Sequence, residues 1–206
     1  MAIRKYKKKQ KVRMPAIIAG FLLIGLAFSF SLRSLSSPLQ PLQQFFNEPD
    51  KGMSRREFIE KLAPHAKELQ TGYGILPSII LGQAGLESNF GESTLSSKYN
   101  NLFGIKAYGN QKKVKLETKE FVNEQWITIK GEFKVYDSWQ DSMDDHTMLF
   151  VNGVDWNPKL YEGVLTAKNY KEAAQALQEA GYATDPTYAD KIISVIEQYD
   201  LAKYDE

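Results

Sequence analysis

From Met14 to Leu32 the chain runs nineteen residues without a charged side chain, MPAIIAGFLLIGLAFSFSL. As an α-helix rising about 1.5 Å per residue, that stretch is roughly 28 Å long, close to the hydrocarbon thickness of a bilayer. Residues 1–13 carry seven Lys or Arg and no acid. Cations flanking one end of an apolar span hold that end in the cytoplasm. The expectation is therefore a basic cytoplasmic segment at 1–13, a transmembrane signal-anchor at 14–32, and the rest of the chain outside the membrane. The alternative is a cleaved signal peptide and a secreted product. Ala27 and Ser29 give it a weak small-x-small cleavage pattern, but the apolar run exceeds the usual ~7–15-residue core of such a peptide.

Residues 33–53 contain Pro38, Pro41 and Pro49 among Ser and Gln, the composition of an extended linker. The folded domain is expected at 54–206. From Ser34 onward there are 18 basic and 25 acidic side chains, a balance of −7. That excess of acid argues against a nucleic-acid partner, which needs a basic face. The absence of cysteine excludes disulfides, thiolate metal sites, a Cys nucleophile and a lipid-modified Cys anchor. His65 and His146 are the two histidines. His146 follows Asp144 and Asp145, but neighbouring helical residues point in different directions, so no metal site is expected. No phosphate-cradling glycine loop is present, and no cofactor is expected. Oligomeric state is not legible.

The folded part reads as mainly α with one small β-hairpin lobe. Ser54-Arg-Arg-Glu57 is a capping box that opens a helix with Phe58 and Leu62 on one face. Pro64 is expected to kink or restart it. Pro77 opens a second helix through Phe90, and Gly91 is expected to close it. Val114 to Ile129 alternates with a period of two and turns at Asn123-Glu124-Gln125, the pattern of a hairpin. Ser138 and Asn169 are expected to cap two later helices, and Asp185-Pro186 a last one.

Glu87 is the outstanding acid. It is the lone ionisable residue between Tyr73 and Phe90, in a helix reading Ile79, Ile80, Leu81, Ala84, Leu86. A carboxyl among apolar walls is desolvated, and its pKa rises. A raised pKa keeps it protonated near neutrality, as a glycosidic general acid requires. Pattern alone is equally compatible with a surface Glu beside Gln83. Glycoside cleavage normally needs a second carboxylate. By strand parity Glu120 shares a face with Val114, Leu116 and Val122, whereas Glu117 shares one with Lys115 and Lys119, and Glu124 sits in the turn. Glu120 is thus the hairpin acid expected to overlook a cleft, the alternative being an edge-strand Glu paired with a Lys. Phe90, Tyr99, Phe103, Tyr108, Tyr136, Tyr182 and Tyr188 fall near the loops, where rings can stack on sugars; Tyr188 is read as core.

QAGLES–NFG, NNLFGIK, TKEF, YDSWQDSMDDH and GYATDPTYADKI, in that order, resemble the bacterial cell-wall glucosaminidases, glycoside hydrolase family 73, and most of all the exo-acting N-acetylglucosaminidases of Gram-positive bacteria. The resemblance runs from about Phe58 to Tyr199. It implies a lysozyme-like α+β fold and hydrolysis of the β-1,4 bond between N-acetylglucosamine and N-acetylmuramic acid in peptidoglycan strands. It places the acid on Glu87, a second hairpin acid on Glu120 and a functional tyrosine on Tyr182. Gln83, Phe90, Asn101, Phe103, Tyr136 and Asp185 are the expected substrate contacts. One departure is Gly82-Gln83-Ala84-Gly85, where the family usually has Ala before the Gln; two glycines weaken a helix by roughly 1 kcal/mol each. The alternatives are a lytic transglycosylase or muramidase on the same fold, or a catalytically silent wall-binding module.

Overall fold

The structure, a computed structural model, describes residues 53–122 and 125–206, with side chains described throughout these except at 118–122 and 125–127. The expected basic segment, anchor and nearly all of the linker lie outside the described residues, as does the side chain of Glu120. Among the described residues no helix is long and apolar enough to cross a membrane.

The described chain runs α1 (Arg55–Tyr73), α2 (Pro77–Ser88), α3 (Thr94–Tyr99), β1 (Lys113–Val122), β2 (Gln125–Lys134), α4 (Trp139–Asn152), α5 (Glu162–Leu165), α6 (Tyr170–Glu179), α7 (Tyr188–Gln198) and a closing 3₁₀ turn (Leu201–Tyr204). It is the expected mainly helical body with a two-stranded hairpin. The capping box at Ser54 and Glu57 forms in both directions, and Gly74 ends α1 at φ 82°. Pro64 does not restart α1, which continues through it. Pro64 lies on the exposed face, so the carbonyl its missing N–H leaves unpaired faces water rather than core. Each of Ser138 and Asn169 caps its helix as expected. The short α5 falls below the length that periodicity detects.

Helix α2 is the centre of the molecule. Every residue from Pro77 to Ser88 except Leu86 is buried. A helix apolar on all sides has to be covered on all sides, and α1, α6, α7 and the closing 3₁₀ turn pack around it. Its N-cap, Leu76, offers no side-chain hydrogen bond. Asp205 supplies one instead, accepting from the Ser78 amide at 2.8 Å and from its hydroxyl at 2.7 Å. The two glycines of the departure are contact points. A Cβ on Gly82 would lie 3.2 Å from Ile196 of α7, and one on Gly85 would lie 2.8 Å from the Phe90 ring.

The hairpin pairs Lys113 with Lys134 through Val122 with Gln125, in antiparallel register. Over the described part of β1 the alternation holds: Val114 and Leu116 are half-buried, while Lys113, Lys115 and Glu117 are exposed. The base of the hairpin is pinned by Asn101. Its amide donates to the carbonyls of Ile105 and Lys134, and its oxygen accepts from the Ile105 amide, all within 2.9–3.0 Å.

Candidate active site

Helix α2 ends at Glu87-Ser88, and its C-cap is Asn89 rather than Gly91. Asn89, Phe90 and Gly91 all have positive φ, 51°, 53° and 85°. A bulky residue in that region is strained. The surroundings hold it there: the Phe90 ring packs on Phe58 and Tyr199 with the Arg55 guanidinium above it. The Ser88 hydroxyl, bound to the Ala84 carbonyl, accepts from the Gly91 amide at 2.7 Å. The backbone leaving Glu87 is therefore fixed over a very short distance.

Glu87 is 4% exposed. Its Oε1 accepts a 2.8 Å hydrogen bond from the Tyr188 hydroxyl, which in turn accepts from Gln83 Nε2 at 3.0 Å. Burial pushes the Glu87 carboxyl up to about 7, against the Tyr188 hydrogen bond and the positive charge of Lys191, both of which hold it down. The expectation of a desolvated acid is met, with that cause dominant.

Beside this group, the Tyr182 ring stacks on Tyr188 with centroids 5.6 Å apart, and its hydroxyl lies 3.0 Å from His146 Nε2. His146 itself stacks on Phe103 at 3.8 Å and meets Phe150 edge-on; burial drives its pKa down to about 3, so it is neutral. Tyr182 forms part of the wall of a cavity of about 440 Å³, with Tyr108, Lys134, Asp145, Trp156 and Tyr161 among its other walls. Trp156 and Tyr108 are exposed by 60% and 54%. Asp145 is held by Lys134 at 2.6 Å and by the Tyr136 hydroxyl at 2.5 Å. Glu87 is not part of this wall; Tyr182 and Tyr188 stand between the two.

The structure thus joins Glu87 and Tyr182 through one tyrosine and buries most of the residues expected to contact substrate. Gln83, Phe90, Asn101 and Phe103 are buried, at 0%, 8%, 1% and 1% exposure. They hold Tyr188, the α2 turn, the hairpin base and His146 in place, and none of them lines the cavity. Tyr136 also stands outside the cavity wall and acts on Asp145. Asp185 does not cap α7, whose N-cap is Thr187. It accepts from the Thr187 amide and hydroxyl in a local turn and pairs with Lys191, because a short polar side chain ahead of Pro186 bonds its own backbone two residues on. Sequence reasoning missed Tyr188 and His146 as site members, and Trp156. An exposed Trp in Val-Asp-Trp-Asn-Pro is the one signal that was available. Among the described residues no cluster of His, Asp and Glu is arranged to hold a metal.

A buried apolar helix ending in an acid of raised pKa, tyrosines behind it and a two-stranded hairpin on the helical body define a lysozyme-like glycoside hydrolase. More narrowly, the chain belongs to the glucosaminidases of glycoside hydrolase family 73: residues 63–201 match the glucosaminidase family, described as mannosyl-glycoprotein endo-beta-N-acetylglucosaminidase. The chain is 45% identical over 201 residues to the exo-glucosaminidase LytG of Bacillus subtilis, covering 97% of this chain and 70% of LytG. It is 36% identical to the peptidoglycan hydrolase FlgJ of Escherichia coli K12, covering 69% of this chain and 46% of FlgJ. The catalytic domain of the autolysin Auto from Listeria monocytogenes superposes with a TM-score of 0.68 at 35% identity, over 82% of this chain and all of that domain.

Proposed function

We propose that this chain hydrolyses bacterial peptidoglycan at the β-1,4 bond between N-acetylglucosamine and N-acetylmuramic acid, with Glu87 as the general acid. The observation that carries the reading is the Glu87 carboxyl, buried at the end of α2 with its pKa raised to about 7, in a chain whose relatives bear the names exo-glucosaminidase and peptidoglycan hydrolase. Protonated Glu87 gives its proton to the glycosidic oxygen as the C1–O bond breaks, and positive charge develops on the sugar ring. Glu120, opposite Ile127 in the hairpin register, is the second carboxylate. It activates water for an inverting attack, or it stabilises the ring that forms when the substrate's 2-acetamido group attacks C1; the first product's anomeric configuration separates these. Tyr182 lends its hydroxyl to that reacting region, and the exposed rings of Trp156 and Tyr108 offer faces on which sugars stack. The segment at 14–32 anchors the domain outside the membrane.

Glu87→Gln keeps size and polarity but has no proton to donate, and general acid catalysis typically contributes about 10²–10⁴-fold. A loss of that order on purified peptidoglycan, with unchanged circular dichroism, is expected; near-normal turnover by the folded variant rejects the assignment. Reducing-end analysis of the wild-type products is expected to show N-acetylglucosamine. The chain is also 34% identical to a probable N-acetylmuramidase of Lactococcus lactis. N-acetylmuramic acid at the new reducing ends would select that reading, and anhydromuramic ends a lytic transglycosylase.

A further inference from the structure

We infer that the cavity walled in part by Tyr182 is a subsite for a neutral N-acetylated sugar ring, in which Asp145 accepts a hydroxyl or amide hydrogen of the sugar and Trp156 is the face on which the ring stacks. The inference deepens the peptidoglycan reading and rests on it. Glu87 is not part of the cavity wall, so the cavity contributes the hold on the glycan rather than the proton. Its volume of about 440 Å³ falls within the roughly 300–1,000 Å³ of small-ligand sites.

Asp145 lies in that wall with 35% of its side chain exposed. The two hydrogen bonds it accepts fall on the same oxygen. Lys134 Nζ donates to Oδ2 at 2.6 Å and the Tyr136 hydroxyl donates to it at 2.5 Å. Among the described residues, no bond to Oδ1 accompanies them. Burial, and then the Asp145 carboxylate itself, push the Tyr136 pKa up, so its hydroxyl keeps the hydrogen that it donates. Two donors on one oxygen fix the orientation of the carboxylate. The other oxygen of an ionised carboxyl can only accept, and a hydrogen bond to a charged acceptor is one of the strong kind. A sugar, which carries several O–H groups and an acetamido N–H, supplies what Oδ1 lacks.

Trp156 belongs to the same wall and is held out on a short, closed turn. Val154 and Asn157 exchange two backbone hydrogen bonds, at 3.1 and 2.9 Å, with Asp155 and Trp156 between them. Gly153, at φ 63°, packs so tightly on the turn that a Cβ there would lie 2.5 Å from the Asn157 and Pro158 backbone. The turn is thus braced from one side while the indole stays 60% exposed. An aromatic face beside a fixed acceptor is the pairing that orients a sugar, apolar on its C–H face and polar at its rim. The charged residues of the wall, Lys106, Lys134, Asp145 and Asp155, balance in sign, and the Lys134 charge is engaged by Asp145. An anionic ligand gains no net attraction there and has to approach a carboxylate. The ring that fits is N-acetylglucosamine rather than N-acetylmuramic acid, which bears a lactyl carboxylate.

The test is a binding titration of the full chain carrying Glu87→Gln and ¹⁵N-labelled tryptophan, in a detergent without a sugar headgroup. There are three tryptophans, and Trp156→Phe assigns the Trp156 indole signal. Chitotetraose, a neutral chain of N-acetylglucosamine, is expected to shift that signal. The Trp139 signal, whose N–H is given to the Ser96 carbonyl, is expected to stay in place. An unmoved Trp156 signal overturns the subsite. Asp145→Asn is the sharper variant. Lys134 and Tyr136 both donate, so the amide oxygen turns to them and its NH₂ takes the place of Oδ1, exchanging an acceptor for a donor while the clasp on β2 survives. Chitotetraose is expected to bind about tenfold more weakly or worse, with unchanged circular dichroism, and Trp156→Ala to weaken it about tenfold. Unchanged affinity in folded Asp145→Asn reduces Asp145 to an anchor of the hairpin and overturns its role. If that variant fails to fold, a pair of monosaccharides decides. N-acetylmuramic acid is expected to move the Trp156 signal with an affinity weaker than that of N-acetylglucosamine by about threefold or more, the scale of one like charge at a half-exposed site; equal or tighter binding overturns the neutral-sugar assignment. Recovery of the chitotetraose after titration keeps the two readings apart, since cleavage by Glu87→Gln would overturn the acid and not the subsite.

Discussion

Glu87 is held between two forces of opposite sign. Burial opposes its ionised form, while the Tyr188 hydroxyl and the Lys191 charge favour it. A general acid works in its protonated form, so activity should be full below the raised pKa and fall as pH rises through about 7. Tyr188→Phe removes a donor to the carboxylate. The charged form then loses support, the pKa climbs, and the alkaline limb of kcat/KM should move to higher pH. A limb that stays in place or moves to lower pH in a folded Tyr188→Phe enzyme contradicts this account of the site. The burial of Glu87 was one of two readings that the apolar run left open, the other being a surface Glu beside Gln83; motif order, not periodicity, favoured the first. Tyr188 was not legible. A tyrosine on the buried stripe of a helix looks the same whether its hydroxyl meets a buried carboxyl or a backbone carbonyl, and the carboxyl it meets is 101 positions away. His146 is hidden for the same reason, with its tyrosine 36 positions on.

At the scale of elements, periodicity located α1, α2, α4, α6, α7 and the hairpin, since each presents a repeating face. It did not foresee that α1 would run on through Pro64, whose cost depends on which side of α1 meets water. It also had no means of seeing that the glycines of α2 mark two separate contacts. The Gly85 contact is the tighter one, and the Phe90 ring against it sits on a strained backbone with neighbours on several sides. Gly85→Ala gains about 1 kcal/mol of helix propensity but overfills a contact of a kind that costs about 1–3 kcal/mol. A net loss of about 0–2 kcal/mol is expected, read as a lower urea midpoint; a more stable variant would show that Phe90 can yield. The hairpin offers a comparison of its own. Glu117 is exposed, so Glu117→Ala should cost no more than the roughly 0–1 kcal/mol of a surface charge and leave turnover intact. Glu120→Ala should lower turnover by about 10²-fold. Reversal of that order would mean the strand faces are exchanged, as a one-residue slip would do.

For the molecule as a whole, the helical class with one hairpin came from periodicity and caps, its lysozyme-like character from motif order, and the expected membrane topology from charge. The anchor at 14–32 is an expectation from sequence. With it, protease added to intact protoplasts should remove the domain and leave a short membrane-embedded stub. Recovery of the domain free in the medium, starting near Phe30, would identify the segment as a cleaved signal instead. The Asp205 clasp on Ser78 adds a dimension of time. Helix α2 has no side-chain cap of its own, and the group that supplies one follows it by 127 positions. During synthesis the acid-bearing helix therefore emerges long before its cap does. Until Asp205 has been made, Glu87 stands at the end of a helix whose first turn lacks its clasp.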